Sequence, residues 1–228
     1  MHLSGLFDIA TRYEHVIWDW NGTLLDDVDC SHRTIVELLA SHGKPPITLG
    51  QYRTVFRFPV MAYYQALGFD FTRHPFEEIA RAWVRIYESH QEEARLYPGV
   101  PQLLVRLGAS GTCSHILTAA HERDVERLTT NFQIRSLFAS IHGLDNHHAQ
   151  SKLDRGRELM LFLGQSPQQM LLVGDTDHDA EVALDLGIDC VLLDGGHQGG
   201  RDHGRLEAAF RKQGRTLRHF SRRATGEG

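Results

Sequence analysis

The 228-residue chain is short of cysteine, of lysine and of long apolar runs, and each shortage narrows what it can be. Its three cysteines, Cys30, Cys113 and Cys190, lie far apart with no CxxC pair, which argues against a disulfide framework or a structural zinc site. No apolar stretch approaches the roughly 18 to 20 residues needed to span a bilayer, so no membrane association is expected. The opening MHLSGLFDIATRYEH lacks a basic start, a long apolar core and a small-residue cleavage site; no secretory signal is readable and a cytoplasmic location is expected. A net charge of −5 gives no sign of a molecule built for nucleic acid. Residues 201–228 differ locally, with eight Lys/Arg against three Asp/Glu, and read as a solvated helix with a frayed end. There is no internal repeat and no HExxH spacing. The fifteen histidines, among them His147, His148 and His178, therefore read as scattered surface residues.

What is present is an ordinary globular composition, 41% hydrophobic and 23% charged, on a chain long enough for a core and a smaller accessory domain. Residues 15–20 form a short apolar run that stops at Asn21-Gly22, a turn signal, and read as a buried strand. The next stretch is helical: apolar spacing over 30–41, then over 60–67 and 75–90, with nothing strand-like between. After the turn at Tyr97-Pro98-Gly99 the pattern changes. Helices over 100–107, 122–132, 152–163 and 179–186 alternate with extended runs over 113–118, 138–142, 170–173 and 190–193. That alternation predicts an α/β fold, a Rossmann-like parallel sheet flanked by helices. The domains expected are a core of 1–25 and 97–228 and a helical insertion of 26–96, placed just after the first strand as a lid. Oligomeric state is not legible.

Ligands on such a sheet bind at the carboxyl ends of the strands. Asp19 closes the first run in IWDWNGTLLD, Thr118 closes ILTA, Lys152 opens the helix after SIHGLDNHHAQ, and Asp175 and Asp179 follow MLLVGDTDHD. These points converge in a parallel sheet although they are spread over the chain. The residue types suit phosphoryl transfer. A carboxylate attacking a phosphate dianion meets like-charge repulsion, and Mg²⁺ held by Asp19 and Asp175 would offset it. Thr118 and the backbone N–H groups after it, that of Ala119 first, suit phosphoryl oxygens, and Lys152 suits a point-charge role. Lysine is scarce, only Lys44, Lys152 and Lys212, so Lys152 stands out in that window. Asp179 is placed to orient Lys152 or a metal-bound water. Gly195 to Gly200 reads as a loop at the crevice mouth, and Arg53 and Arg57, set among aromatics, read as packing or surface residues.

DWNGTLLD, ILTA, a following lysine and GDTDHDAEVA, in this order, resemble the four motifs of the haloacid dehalogenase-like hydrolase superfamily. The insertion is similar to its type-1 helical cap, as in phosphoglycolate phosphatase-like members. The resemblance implies an aspartyl-phosphate on Asp19, Mg²⁺ held by Asp19, the carbonyl of Asn21 and Asp175 with support from Asp179, and a small phosphorylated metabolite as substrate. One position departs: family phosphatases carry a second Asp two residues after the nucleophile, as general acid and base, and here Asn21 stands there. A neutral amide cannot fill that role. The loss implies slow turnover of alkyl phosphates unless Asp26, Asp27 or a cap residue substitutes. Asn21-Gly22 is also a deamidation-prone pair, which would restore an aspartate. The alternatives are a non-catalytic phosphate-binding regulatory protein, a metal-free dehalogenase, or a phosphonatase using Lys44 as its cap lysine.

Overall fold

The computed structural model describes residues 4–144, 151–199 and 201–222. In chain order the elements are α1 (Ser4–Ala10), β1 (His15–Trp18), β2 (Leu25–Asp26), α2 (Val28–Ser41), α3 (Leu49–Val55), α4 (Val60–Ala66), α5 (Phe76–Gln91) and β3 (Arg95–Leu96). There follow α6 (Val100–Ala109), β4 (Cys113–His121), α7 (Glu122–Asn131), β5 (Ser140–Leu144), α8 (Lys152–Leu163), β6 (Met170–Gly174), α9 (Asp177–Leu186), β7 (Asp189–Leu193), α10 (Gly204–Lys212) and β8 (Leu217–Phe220). Six strands form one parallel sheet in the order β5-β4-β1-β6-β7-β8.

The central strands are apolar on both faces because helices cover both. Val16 and Trp18 of β1, with Leu171 and Val173 of β6, pack against Leu103, Leu104 and Leu107 of α6 and Val125 of α7. Ile17, Leu172 and Cys190 point to the other side and meet Leu159 of α8, Ala180 and Ala183 of α9 and Phe210 of α10. The two-residue period of the strands thus sorts one run of sequence into two cores. Between β2 and β3 lie helices α2 to α5, with a third apolar cluster of their own built on Ile35, Leu38, Tyr52, Tyr63, Tyr64 and Ile79. The architecture is a Rossmann-like core with a helical cap.

The predicted helices and strands all appear, with shifted ends. The sequence reading assigns no strand to the ends of the insertion, yet Leu25–Asp26 pairs antiparallel with Arg95–Leu96, so that entry and exit run side by side. It also has no counterpart for α1, α3 or β8. The basic tail is a correction: instead of only a solvated helix, it supplies α10, whose Phe210 is buried, and then β8, the edge strand beside β7. Edge strands tolerate polar side chains such as Arg218 and His219, which hides their period. Residues 223–228 lie outside the described residues, as do His147 and His148. Among the described residues no helix is long and apolar enough to cross a membrane.

Among the described residues two histidines are buried, His115 and His197. His115 of β4 is 1% exposed, with its ring nitrogens against His15 Nδ1 (3.0 Å) and Ser140 Oγ (2.8 Å). Burial, then the charges His15 and His142 would carry, depress its pKa to about 4. The unfolded chain therefore binds this proton more readily than the folded one, so stability is full above about pH 6.5 and falls as pH drops toward 4. The loss expected from this one group is on the order of 3 kcal/mol, from the linkage value of about 1.4 kcal/mol per pKa unit. Urea midpoints measured across that window should fall, and His115→Gln should flatten the profile. An equally steep profile in the variant would assign the effect elsewhere.

Candidate active site

Each candidate side chain is placed by the element that precedes or opens with it. Asp19 continues β1, its N–H donating to Val173 O (2.8 Å) in β6. Thr118 lies in β4 where the pairing with β5 shifts register between Leu117 and His121; it is buried, and its Oγ1 accepts from Ala120 N–H (3.0 Å). Lys152 is the first residue of α8, whose start is fixed by a capping box between Ser151 and Asp154. Asp175 follows β6. Asp179 sits in the first turn of α9, where Oδ2 accepts from Thr176 N (2.9 Å) and Thr176 Oγ1 (2.7 Å).

These placements bring distant carboxylates together. Asp19, Asp175 and Asp179 are all buried, and one ligand oxygen of each lies within 4.8 Å of the others; no other group of three such side chains occurs among the described residues. Lys152 Nζ donates to Asp19 Oδ1 and to Asp179 Oδ1, both at 2.5 Å, joining positions 133 and 27 residues apart in the chain. Asp175 is fixed by Thr23 Oγ1 (3.0 Å) and the N–H of His197 (2.6 Å). The backbone approaches closely here: a Cβ on Gly196 would stand 2.1 Å from Asp175 Oδ2, and one on Gly22, at φ +70°, would stand 2.5 Å from it. Only glycine fits at either place.

The charges do not balance. Burial pushes Asp19 up to about 7, against the pull of Lys152 and with the push of Asp179 and Asp175. Asp175 is also raised, first by burial, although the cationic His197 opposes it. Burial would raise Asp179 as well, but Lys152 and the hydrogen bonds from Lys152 and Thr176 outweigh it and hold Asp179 below the usual carboxylate range. Lys152 thus bonds only two of the three buried carboxylates, and the oxygen-only donor set fits a hard divalent cation.

The chain from 16 to 193 matches the family model of haloacid dehalogenase-like hydrolases. The protein belongs to that family. A phosphoglycolate phosphatase of Pseudomonas putida is 30% identical over 194 residues, 82% of this chain and 71% of that one. A 5'-nucleotidase of Pseudomonas aeruginosa is 25% identical over 193 residues, 81% of this chain and 84% of that one. Among solved structures, a haloacid dehalogenase-like hydrolase from Streptococcus pneumoniae superposes with a TM-score of 0.70 over 93% of this chain and 95% of its own, at 21% identity, a likeness of fold. The haloacid dehalogenase-like match ends with β7, so the basic tail and its edge strand lie beyond it.

Other residues named from sequence fall elsewhere. Arg53 Nε and Nη2 donate to the carbonyls of Gly196 and Gly195 (3.1 Å each), and Arg57 Nε to Val55 O (3.0 Å), so both are spent on backbone. Lys44 Nζ donates to Gly68 O and lies 5.4 Å over the Phe69 ring, engaged within the helical insertion. His178 stacks on Phe58 (4.6 Å). Asp26 is exposed.

Sequence reasoning missed a second buried network beside the first. Asn21 Nδ2 donates to Asp27 Oδ2 (2.9 Å) and Tyr87 OH (3.0 Å), and Asp27 also accepts from Gly22 N (2.8 Å), Tyr87 OH (2.7 Å), Ser31 Oγ (3.2 Å) and His197 Nε2 (3.2 Å). The other ring nitrogen of His197 meets Tyr52 OH (2.7 Å). Burial works against charge on His197, but Asp27 beside it prevails and raises its pKa to about 9. The network links the loop after Asp19, the cap and the loop of residues 195–199. Of its members only Asn21 and Asp27 were visible in sequence; His197 lay in a glycine-rich loop with no periodicity to mark it. Engagement of Gly22 N by Asp27 also restrains the atom that would attack the Asn21 amide in deamidation.

Proposed function

We propose that this protein is a divalent-metal-dependent phosphatase acting on a small phosphorylated, phosphoglycolate-like metabolite, with Asp19 as the group that accepts the phosphoryl. The observation that carries the reading is the buried trio Asp19, Asp175 and Asp179, with a single lysine bridging Asp19 and Asp179. Family membership and relatives named as phosphoglycolate phosphatase and 5'-nucleotidase support a phosphoric monoester as substrate.

An oxygen of Asp19 attacks phosphorus and the bond to the leaving oxygen breaks. Lys152, held between Asp19 and Asp179, orients the attacking carboxylate and offsets negative charge that builds on the transferred group. The Thr118 hydroxyl and the N–H of Ala119 receive phosphoryl oxygens. Asp19, Asp175 and the backbone carbonyl of Asn21 would hold Mg²⁺, with Asp179 supporting them through Lys152 and Thr176. The ion would neutralise the repulsion between carboxylate and phosphate dianion. The cap, residues 26–96, covers the site and excludes water, and residues 1–25 and 97–228 form the catalytic core. The retained carboxylate trio favours a metal-using phosphatase over a metal-free dehalogenase, and the engagement of Lys44 speaks against a phosphonatase.

Hydrolysis of phosphoglycolate, sugar phosphates, nucleoside monophosphates and an aryl phosphate, each with Mg²⁺ and again after chelation, tests the reading. Phosphate release that needs the metal is expected. Release unaffected by chelation, or none from any substrate, would sink it.

A further inference from the structure

We infer that the Asp19 phosphoenzyme accumulates during turnover, because the hydrogen-bond polarity between positions 21 and 27 leaves neither residue free to activate water. The inference rests on the phosphatase reading above and identifies its slow step.

Turnover has two displacements. In the first, an Asp19 oxygen bonds to phosphorus and the ester P–O bond breaks, its electron pair leaving on the alcohol or phenolate oxygen. In the second, a water oxygen bonds to the same phosphorus, the P–O bond to Asp19 breaks, and inorganic phosphate leaves with the carboxylate restored. A proton must leave the water as it attacks, and a positioned base speeds such a step by about 10² to 10⁴. A good leaving group needs no acid in the first displacement, whereas the second always needs a proton acceptor.

Asn21, two residues beyond Asp19, offers an amide whose Nδ2 is directed at Asp27 Oδ2 (2.9 Å) and Tyr87 OH (3.0 Å). Asp27, the carboxylate that this amide touches, has both oxygens filled. Oδ2 accepts from Asn21, Tyr87 and Ser31, and Oδ1 from Gly22 N and His197 Nε2. A carboxylate has about four lone-pair sites, so five donors leave it none for a water. Tyr87 gives its one proton to Asp27, and both ring nitrogens of His197 are taken, by Asp27 and Tyr52. The pair is thus arranged with the donor at 21 and the acceptor at 27. An aspartate at 21 alone would set two carboxylates face to face at a hydrogen-bond distance. Exchanging the two residues, Asn21→Asp with Asp27→Asn, keeps the bond and returns a carboxylate to the loop of the nucleophile.

Rapid mixing of the full chain and Mg²⁺ with excess aryl phosphate tests this. We expect a burst of one phenolate per protein followed by a slow linear phase, and acid-quenched protein carrying one phosphoryl group by intact mass. The exchanged double variant should lose the burst and raise the linear rate by about 10²-fold or more, while Asn21→Asp alone gains less. Linear release with no burst and no phosphorylated protein overturns the inference and leaves the phosphatase reading standing. Absence of any phenolate release from the wild type removes both.

Discussion

Replacing Lys152 by methionine is expected to destabilise the metal-free protein by about 3 to 5 kcal/mol, the cost of breaking a buried ion pair from one side. Lys152 is 4% exposed and its ammonium is the cation that donates to both Asp19 and Asp179. Methionine keeps the length and removes the charge, so packing changes little and the loss reports on electrostatics. Three carboxylates within 4.8 Å would then lie buried without their ammonium. Denaturant unfolding in chelator should show a lower midpoint at unchanged slope. Mg²⁺ should recover more stability in the variant than in the wild type, since a cation that binds only the folded state adds stability by mass action. A loss below 1 kcal/mol would mean that water or the neighbouring loops already compensate the cluster.

The second large effect separates chemistry from architecture at Asp19. Asp19→Asn should lower phosphatase turnover by at least about 10⁴-fold, the scale seen when a nucleophile is removed from a group acting as a unit. Stability should change little or rise. Burial and the two neighbouring aspartates disfavour charge on Asp19, and Lys152 keeps Asp179 as a partner. Phosphate release by the variant within tenfold of wild type would exclude Asp19 as the attacking group. A collapse in stability of several kcal/mol would instead assign it a structural role.

The legibility of this protein varied with the kind of signal each part gives. Asp19, Asp175 and Asp179 stood out because a polar residue right after a buried apolar run marks a strand's carboxyl end, and a parallel sheet gathers such ends on one edge. Lys152 stood out because lysine is rare in the chain. β8 did not: an edge strand reading Leu-Arg-His-Phe has no period to detect. His197 and Tyr87 did not, since neither a loop histidine nor a helical tyrosine announces its partner. Arg222 is another such case. It reaches back from beyond β8 to the carbonyls of Gly22 (2.7 Å) and Thr23 (2.9 Å), with its guanidinium 3.7 Å over the Tyr97 ring.

The sequence by itself determined the fold class, the helical insertion and the convergence of the aspartates with Lys152, because these follow from hydrophobic period and element order, which are local properties. The tertiary structure alone decided which groups around Asp19 and Asn21 are free. Asn21 and Asp27 are six residues apart, but their roles depend on Tyr87 and His197, brought in from 60 and 170 residues away. Hydrogen-bond saturation is a property of the packed neighbourhood, and no window of sequence contains it.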